Sequence, residues 1–554
     1  MTRNAELIIV NGRVKTMDED QPAAQALAVS GGEIVAIGDS ATIEDFRGPG
    51  TRIIDAGMNS VVPGFIEGHM HLFSGAAELA HLQLSGVHGA IALHAAIQDY
   101  ARSRPDAPML LGQGVEYTVL GGRSVTRHDL DRILPDRPFA MAAPDHHTVW
   151  ANTKALELGG VLHGKKLRPG NEIVMGEDGL ATGELRENEA FNPVIALAGE
   201  ERARLGLSTG GEPDPVPSQK EREADRDTMQ RGLDWCARHG ITSIHNMDGN
   251  FYQLELLSEI EDLGGLHCRT KIPFHFKNFM KIEMLEKASL MAERYRSEWI
   301  SSGLVKLFYD GVIESWTAVL VEPYSDRPDW GGEPLFTPER FAEIATEADR
   351  RGLQIAVHSI GDGAVRAVLD GYEQARRTNG VRDSRHRVEH IELIAPAEVP
   401  RFAELGAIAS MQPTHAPGAH GVPLEPTASR IGRNRWQYAF PVRSLLSAGA
   451  PLVFASDWSV APIDPILGMQ AAMLRKPWGR GDPDQSLTLD EALAAYTTGG
   501  AYAEFMEHRK GRLKPGYLAD IVVLSGDLDA CPAEELTKIR PVTTICGGRV
   551  TFRD

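Results

Sequence analysis

The chain has 554 residues, 42% hydrophobic and 24% charged, which is enough for at least two structural units with sizeable cores. Lys and Arg total 57 against 76 Asp and Glu, a net charge of −19, which argues against a nucleic-acid partner or an anionic membrane surface. No stretch approaches the ~20 apolar residues of a membrane span. The opening segment lacks a long apolar core. Four scattered cysteines point to a reducing cytoplasm without a disulfide framework. A cytoplasmic protein with a small-molecule partner is expected, and homo-oligomerisation stays open.

Leu7–Val10, Ala26–Val29 and Ile34–Ile37 are short apolar runs punctuated by Asn11-Gly12 and Gly31-Gly32, the signature of hairpins. Val61-Val62-Pro63-Gly64-Phe65-Ile66 reads as one buried strand leading into Gly68-His69-Met70-His71. Residues two apart on a strand share a side, so His69 and His71 can share one metal ion. From about 63 to 500, strand-like runs alternate with helical patterns. The runs are Leu304–Phe308, Gln354–His358, Arg387–Ile391, Ala407–Met411 and Leu452–Asp457, with a helix over Pro338–Arg351 between two of them. This α/β pattern implies a parallel sheet, for which a (β/α)₈ TIM-like barrel is one closed solution. Asp520–Leu524 and Val542–Val550 are strand-like again. The two ends are expected to form one composite, β-sandwich-like domain, 1–62 with 505–554, beside a barrel unit over 63–504.

Polar residues recur at the ends of these strands: His69, His71, Lys306, His358, His390 and Asp457. In a barrel that end carries the active site. A βα unit takes roughly 30 or more residues, so the spacing puts Lys306 on strand 4, His358 on strand 5, His390 on strand 6 and Asp457 on strand 8. The stretch from His71 to Lys306 exceeds what three units need. An insertion over about 75–235 is expected at the barrel mouth, where it would shape substrate access.

These residues resemble the amidohydrolase superfamily, in particular its amidohydrolase-3 branch of N-substituted formamide deformylase-like proteins. The landmarks are Pro63-Gly64-Phe65-Ile66-Glu67-Gly68-His69-Met70-His71, Lys306-Leu307-Phe308-Tyr309-Asp310-Gly311, His358-Ser359-Ile360-Gly361-Asp362, Glu389-His390 and Ser456-Asp457-Trp458. The resemblance implies that His69, His71 and Asp457 bind one divalent metal, most simply zinc, and that His358 and His390 bind a second. Lys306 would bridge the two, carbamylated by CO₂, since an ammonium has no lone pair to offer. One ion or two is left open. Such a centre acidifies water and polarises a carbonyl, and Asp457 is placed to take the water's proton and pass it to a leaving nitrogen.

Asp145-His146-His147, followed by Trp150 and Asn152, matches a family segment that usually reads Asp-Gly-His, with His146 at the glycine. His147 is a candidate pocket group. Glu187, closing Gly179–Glu187, is a candidate that competes with a plain helix-start carboxylate. His245 reads as a rim hydrogen-bonding residue. Trp316, Trp458, Tyr309 and Tyr117 suggest an aromatic pocket, and His415 a hydrogen bond to substrate. The expected activity is metal-dependent hydrolysis of a non-peptide C–N bond in an amide, N-formyl compound, cyclic amide or carbamate. The alternatives are a non-catalytic binding or regulatory relative, against which six retained ligand positions argue, and a metal-dependent lyase or decarboxylase. No Gly-x-Ser-x-Gly elbow supports serine catalysis.

Overall fold

The computed structural model describes residues 4–144, 146–168, 170–199 and 211–554, in an α/β architecture. The apolar run before the first histidines is divided between two sheets. Ser60–Pro63 pairs with Arg13–Lys15 and with Ile521–Leu524, whereas Phe65–Met70 (β1) starts a parallel sheet. Gly64 makes the break, because a Cβ there would lie 2.1 Å from Thr242 Oγ1. The single expected strand is therefore two, since the chain changes layers where a side chain has no room. Gly64→Ala is expected to destabilise the protein by about 1–3 kcal/mol through overpacking. A denaturation midpoint equal to wild type would contradict this.

β1 pairs with Ile241–Asn246 (β2), and β2 with Arg269–Lys271, the first half of β3. The second half, Phe274–His275, pairs with Leu304–Phe308 (β4) instead. Pro273, which has no N–H to donate, separates the halves. Gln354–Ser359 (β5), Arg387–His390 (β6), Ile408–Met411 (β7) and Leu452–Phe454 (β8) follow in parallel order, and β8 lies against β1. Helices cover the strands. Leu72–Glu78 (α1) follows β1, and Gln219–Arg238 (α2) precedes β2 behind a Ser218/Glu221 capping box. Pro338–Arg350 starts on a Thr337 cap with proline in its first turn.

Between α1 and α2 stands a separate mixed sheet running from Leu82–Gln83 to Ala181–Arg186. It has its own apolar layers, Leu111, Val149, Leu185 and Phe191 on one side and Leu93, Ile97 and Trp150 on the other. The expected 75–235 segment also contains most of α2, whose Met229 and Leu233 pack in the main core. At the chain ends, Arg549–Arg553, Pro541–Cys546 and Ile521–Leu524 continue into Ser60–Pro63, Arg13–Lys15 and Ala23–Ala24 as one sheet. Leu7, Val29 and Ile54 share a core with Leu513, Ile521 and Ile545. The expected Val542–Val550 strand is a hairpin, because Gly547 and Gly548, with φ of 56° and 74°, turn the chain between Pro541–Cys546 and Arg549–Arg553. Among the described residues no helix is long and apolar enough to cross a membrane.

Candidate active site

The C-terminal ends of the parallel strands converge on one buried cluster. His69 and His71 stand at the end of β1, with ring centroids 5.7 Å apart. Asp457, just beyond β8, meets both: its Oδ1 lies 3.3 Å from His69 Nε2 and 3.3 Å from His71 Nε2. His390, the last residue of β6, lies 4.8 Å from the His69 ring and 4.4 Å from the His358 ring, centroid to centroid. His390 and Asp457 hold φ of 76° and 59°, left-handed conformations that cost energy and gather at functional sites.

A distant partner fixes the ring orientation of three histidines. His69 Nδ1 is 2.7 Å from Glu389 Oε2, His71 Nδ1 is 2.9 Å from Asp248 Oδ1, and His390 Nδ1 is 2.9 Å from Gln412 Oε1. In the neutral ring each pairing leaves Nε2 as the lone-pair nitrogen, the arrangement common at metal-binding histidines. His358 uses Nε2 on Gly311 O at 3.1 Å, which leaves Nδ1. Glu389 is in turn clamped by the buried Arg387, whose guanidinium reaches Glu389 Oε1 at 2.8 Å, His245 Nδ1 at 2.9 Å and Ser410 Oγ at 2.9 Å.

The electrostatics of three of these histidines suit a cation. Burial, with Lys306 nearby, pushes His69 down to about 4, and burial also holds His358 and His390 well below the usual imidazole range. All three are therefore neutral donors at neutral pH. Burial resists charge on His71, but its contacts with Asp248 and Asp457 push it up to about 9. Burial favours a neutral Asp457, yet His69, His71 and His390 outweigh it and hold the carboxyl below its ordinary range.

A divalent metal fits these residues. Asp457 Oδ1, His390 Nε2 and Lys306 Nζ are buried without a hydrogen-bond partner among the described residues. Donors each about 2.0–2.2 Å from one zinc ion stand roughly 3–3.5 Å apart, the spacing seen around Asp457 Oδ1. Donor atoms of His69, His390 and Asp457 all lie within 4.8 Å of one another. Lys306 Nζ sits 4.6 Å from the Phe308 ring centroid, and burial pushes it down to about 8. Phe308 is itself stacked between His275 and His358, at 5.3 and 4.8 Å.

The cluster opens into a cavity of about 290 Å³. His147 and Glu187 both line it, joined by a 2.9 Å contact from His147 Nδ1 to Glu187 Oε1. The other three expected substrate residues stand elsewhere. Trp316 is turned toward Arg430, whose guanidinium lies 3.7 Å above its ring, and its indole N–H donates to Asp326. Trp458 is buried against Gly75 of α1. His415 stacks behind His390 at 6.1 Å, with Nε2 held 3.3 Å from Ser456 O. Adjacency to a motif placed these side chains near the site, but packing needs turned them away from it. His245 is fully buried on Arg387 rather than at the rim. Tyr117 bonds Thr148 within the separate sheet, and Tyr309 is buried against Phe341. Asp145 lies outside the described residues.

Sequence reasoning missed His275 and Lys277, which also line the cavity. His275 ends, and Lys277 follows, a strand interrupted by Pro273, so no continuous apolar run announced them. It also missed Glu389, Asp248 and Gln412 as partners of the histidines. For Glu389 the adjacent His390 was the available signal.

A buried set of imidazoles, a carboxylate and a lysine on and just beyond parallel strands is the layout of a metal-dependent hydrolase. The chain belongs to the amidohydrolase family, whose model matches residues 52–552, and it is an enzyme of that metal-dependent class. It is 30% identical to Protein LONG AFTER FAR-RED 3 of Arabidopsis thaliana, over 94% of this chain and 87% of that protein. It is 26% identical to the N-substituted formamide deformylase of Arthrobacter pascens, over 100% of this chain and 99% of the deformylase. Its fold resembles the crystal structure of an uncharacterized metal-dependent hydrolase from Pyrococcus furiosus, with TM-score 0.67 and 25% identity over 93% of this chain and 98% of that one.

Proposed function

We propose that this protein hydrolyses a non-peptide C–N bond, in an amide, N-formyl compound, cyclic amide or carbamate. In this reading β1–β8 close into a (β/α)₈ barrel, with 1–62 and 505–554 as a composite β domain and the separate sheet as an insertion over the mouth. His69, His71 and Asp457 would hold one zinc ion, and His358 and His390 a second where two are bound. Lys306 would bridge them as its carbamate. Burial pushes its amine down to about 8, which leaves a larger free-base fraction available to CO₂ than an exposed lysine offers. When bound, a divalent cation acidifies water and polarises a carbonyl oxygen. Asp457 takes the proton of the attacking water and passes it to the departing nitrogen. Glu187 holds His147 at the cavity wall, which places that imidazole to bond the substrate.

The observation that carries this reading is the meeting of His69 and His71 on one oxygen of Asp457. The test joins metal analysis to a screen of amides and N-formyl amines. Chelation should abolish turnover and zinc should restore it, and His69→Ala should lose bound metal and activity together. Normal metal content and turnover in His69→Ala would overturn the assignment.

A further inference from the structure

Glu78 ends α1 on the cavity wall and is only 6% exposed. Its Oε1 lies 3.4 Å from His146 Nδ1, while Oε2 is buried without a hydrogen-bond partner among the described residues. A carboxylate oxygen shut away from water and left unbonded is costly. Ser74, one turn earlier on α1, lines the cavity beside it. His146 bridges from Glu78 to the loop after β8, with Nε2 3.2 Å from Ser459 Oγ. To do so it holds φ at 60°, a left-handed conformation that a side chain disfavours. The glycine expected at this position would fit that backbone more easily, and would leave Glu78 without its partner. Phe308 and Phe336 add apolar wall to the same cavity.

We propose that Glu78, with His146 occupying its other oxygen, forms a subsite for an ammonium-type group carried by the substrate on an apolar stem. A cationic N–H donor satisfies Oε2 and compensates the buried charge in one contact, which a neutral donor does only in part. The inference rests on the hydrolase reading above and narrows its substrates to amides or N-formyl amines that bear a second, basic nitrogen.

Two measurements test it. In turnover, the kcat/KM of N-formyl-1,5-diaminopentane should exceed that of N-pentylformamide by at least about 10-fold in the wild type, the scale of one charge-assisted contact. The ratio should fall toward one in Glu78→Gln. In binding, calorimetry should detect n-pentylamine, with 1-pentanol at least about 10-fold weaker, and Glu78→Gln should erase the difference. A wild-type ratio near one, or a preference that survives in a folded Glu78→Gln, overturns the proposal. Should Glu78→Gln fail to fold, His146→Ala decides, because it leaves the carboxylate its charge and removes its partner. The amine preference must then rise, and an unchanged or lower ratio overturns the subsite. If neither formamide is hydrolysed but amine binding still depends on Glu78, the N-formyl branch of the hydrolase reading falls and the subsite stands. If both are absent, that branch and the subsite fall together.

Discussion

Asp457→Asn is expected to lower kcat by about 10²- to 10⁴-fold with the fold intact, the usual worth of a general base. Asparagine keeps the shape and one carbonyl oxygen, and it tolerates the left-handed backbone that Asp457 adopts at φ 59°. The local loop is pinned independently of the side chain, by Asp457 N donating to His69 O at 2.9 Å and Ser456 N donating to Glu67 Oε1 at 2.7 Å. Proton acceptance is what the substitution removes. The carboxyl is held below its ordinary range despite its burial, so it is available to accept a proton at neutral pH. The acidic limb of the pH–rate profile should therefore change in the variant. Asp464 cannot substitute, because its carboxylate caps the helix Pro465–Met473 by accepting from Ile466 N. Steady-state kinetics, metal content and a melting curve together decide the matter. Near-wild-type kcat at unchanged metal content would transfer the base to His147 or Glu187.

The candidate ligands were legible because each stands on or just beyond a short apolar strand, where periodicity and unit spacing suffice to place it. His69, His71, Lys306, His358, His390 and Asp457 all reach one cluster for that reason. The groups that aim them were not legible. Asp248 meets His71 and Glu389 meets His69 only through strand neighbours far apart in the chain, and a local pattern holds no record of such a pairing. The aromatic expectations failed for a related reason. Trp316 and Trp458 flank motifs, but a large ring beside a site is as useful for packing as for binding. Local backbone demands also escaped the pattern. Gly64 splits one apolar run between two sheets, and Gly547-Gly548 turns one strand into a hairpin. His146 is the instructive case, since its place at an expected glycine was visible, but its reach to Glu78 and Ser459 was not.

Arg387→Met should cost about 3–5 kcal/mol of stability, the scale of removing one partner from a buried ion pair. Arg387 is fully buried, and its guanidinium meets Glu389 at 2.8 and 3.1 Å, Ser410 Oγ at 2.9 Å and Gly68 O at 2.5 Å. Methionine fills much of the volume but leaves Glu389 charged and buried without its guanidinium partner, still in contact with His69. Because Glu389 fixes the His69 ring, metal affinity should also fall by about 10- to 100-fold, as it does when such supporting groups are lost. The double variant Arg387→Met/Glu389→Gln separates the two effects. Removing both charges should recover much of the stability, since a neutral pair needs no counter-ion. Metal affinity should stay low, because a glutamine amide cannot match a carboxylate in orienting the imidazole and raising its basicity. Chemical denaturation and metal titration of the three proteins would test this. If Arg387→Met loses under about 1 kcal/mol, no more than an ordinary substitution, Arg387 is not what holds the Glu389 charge among the parallel strands.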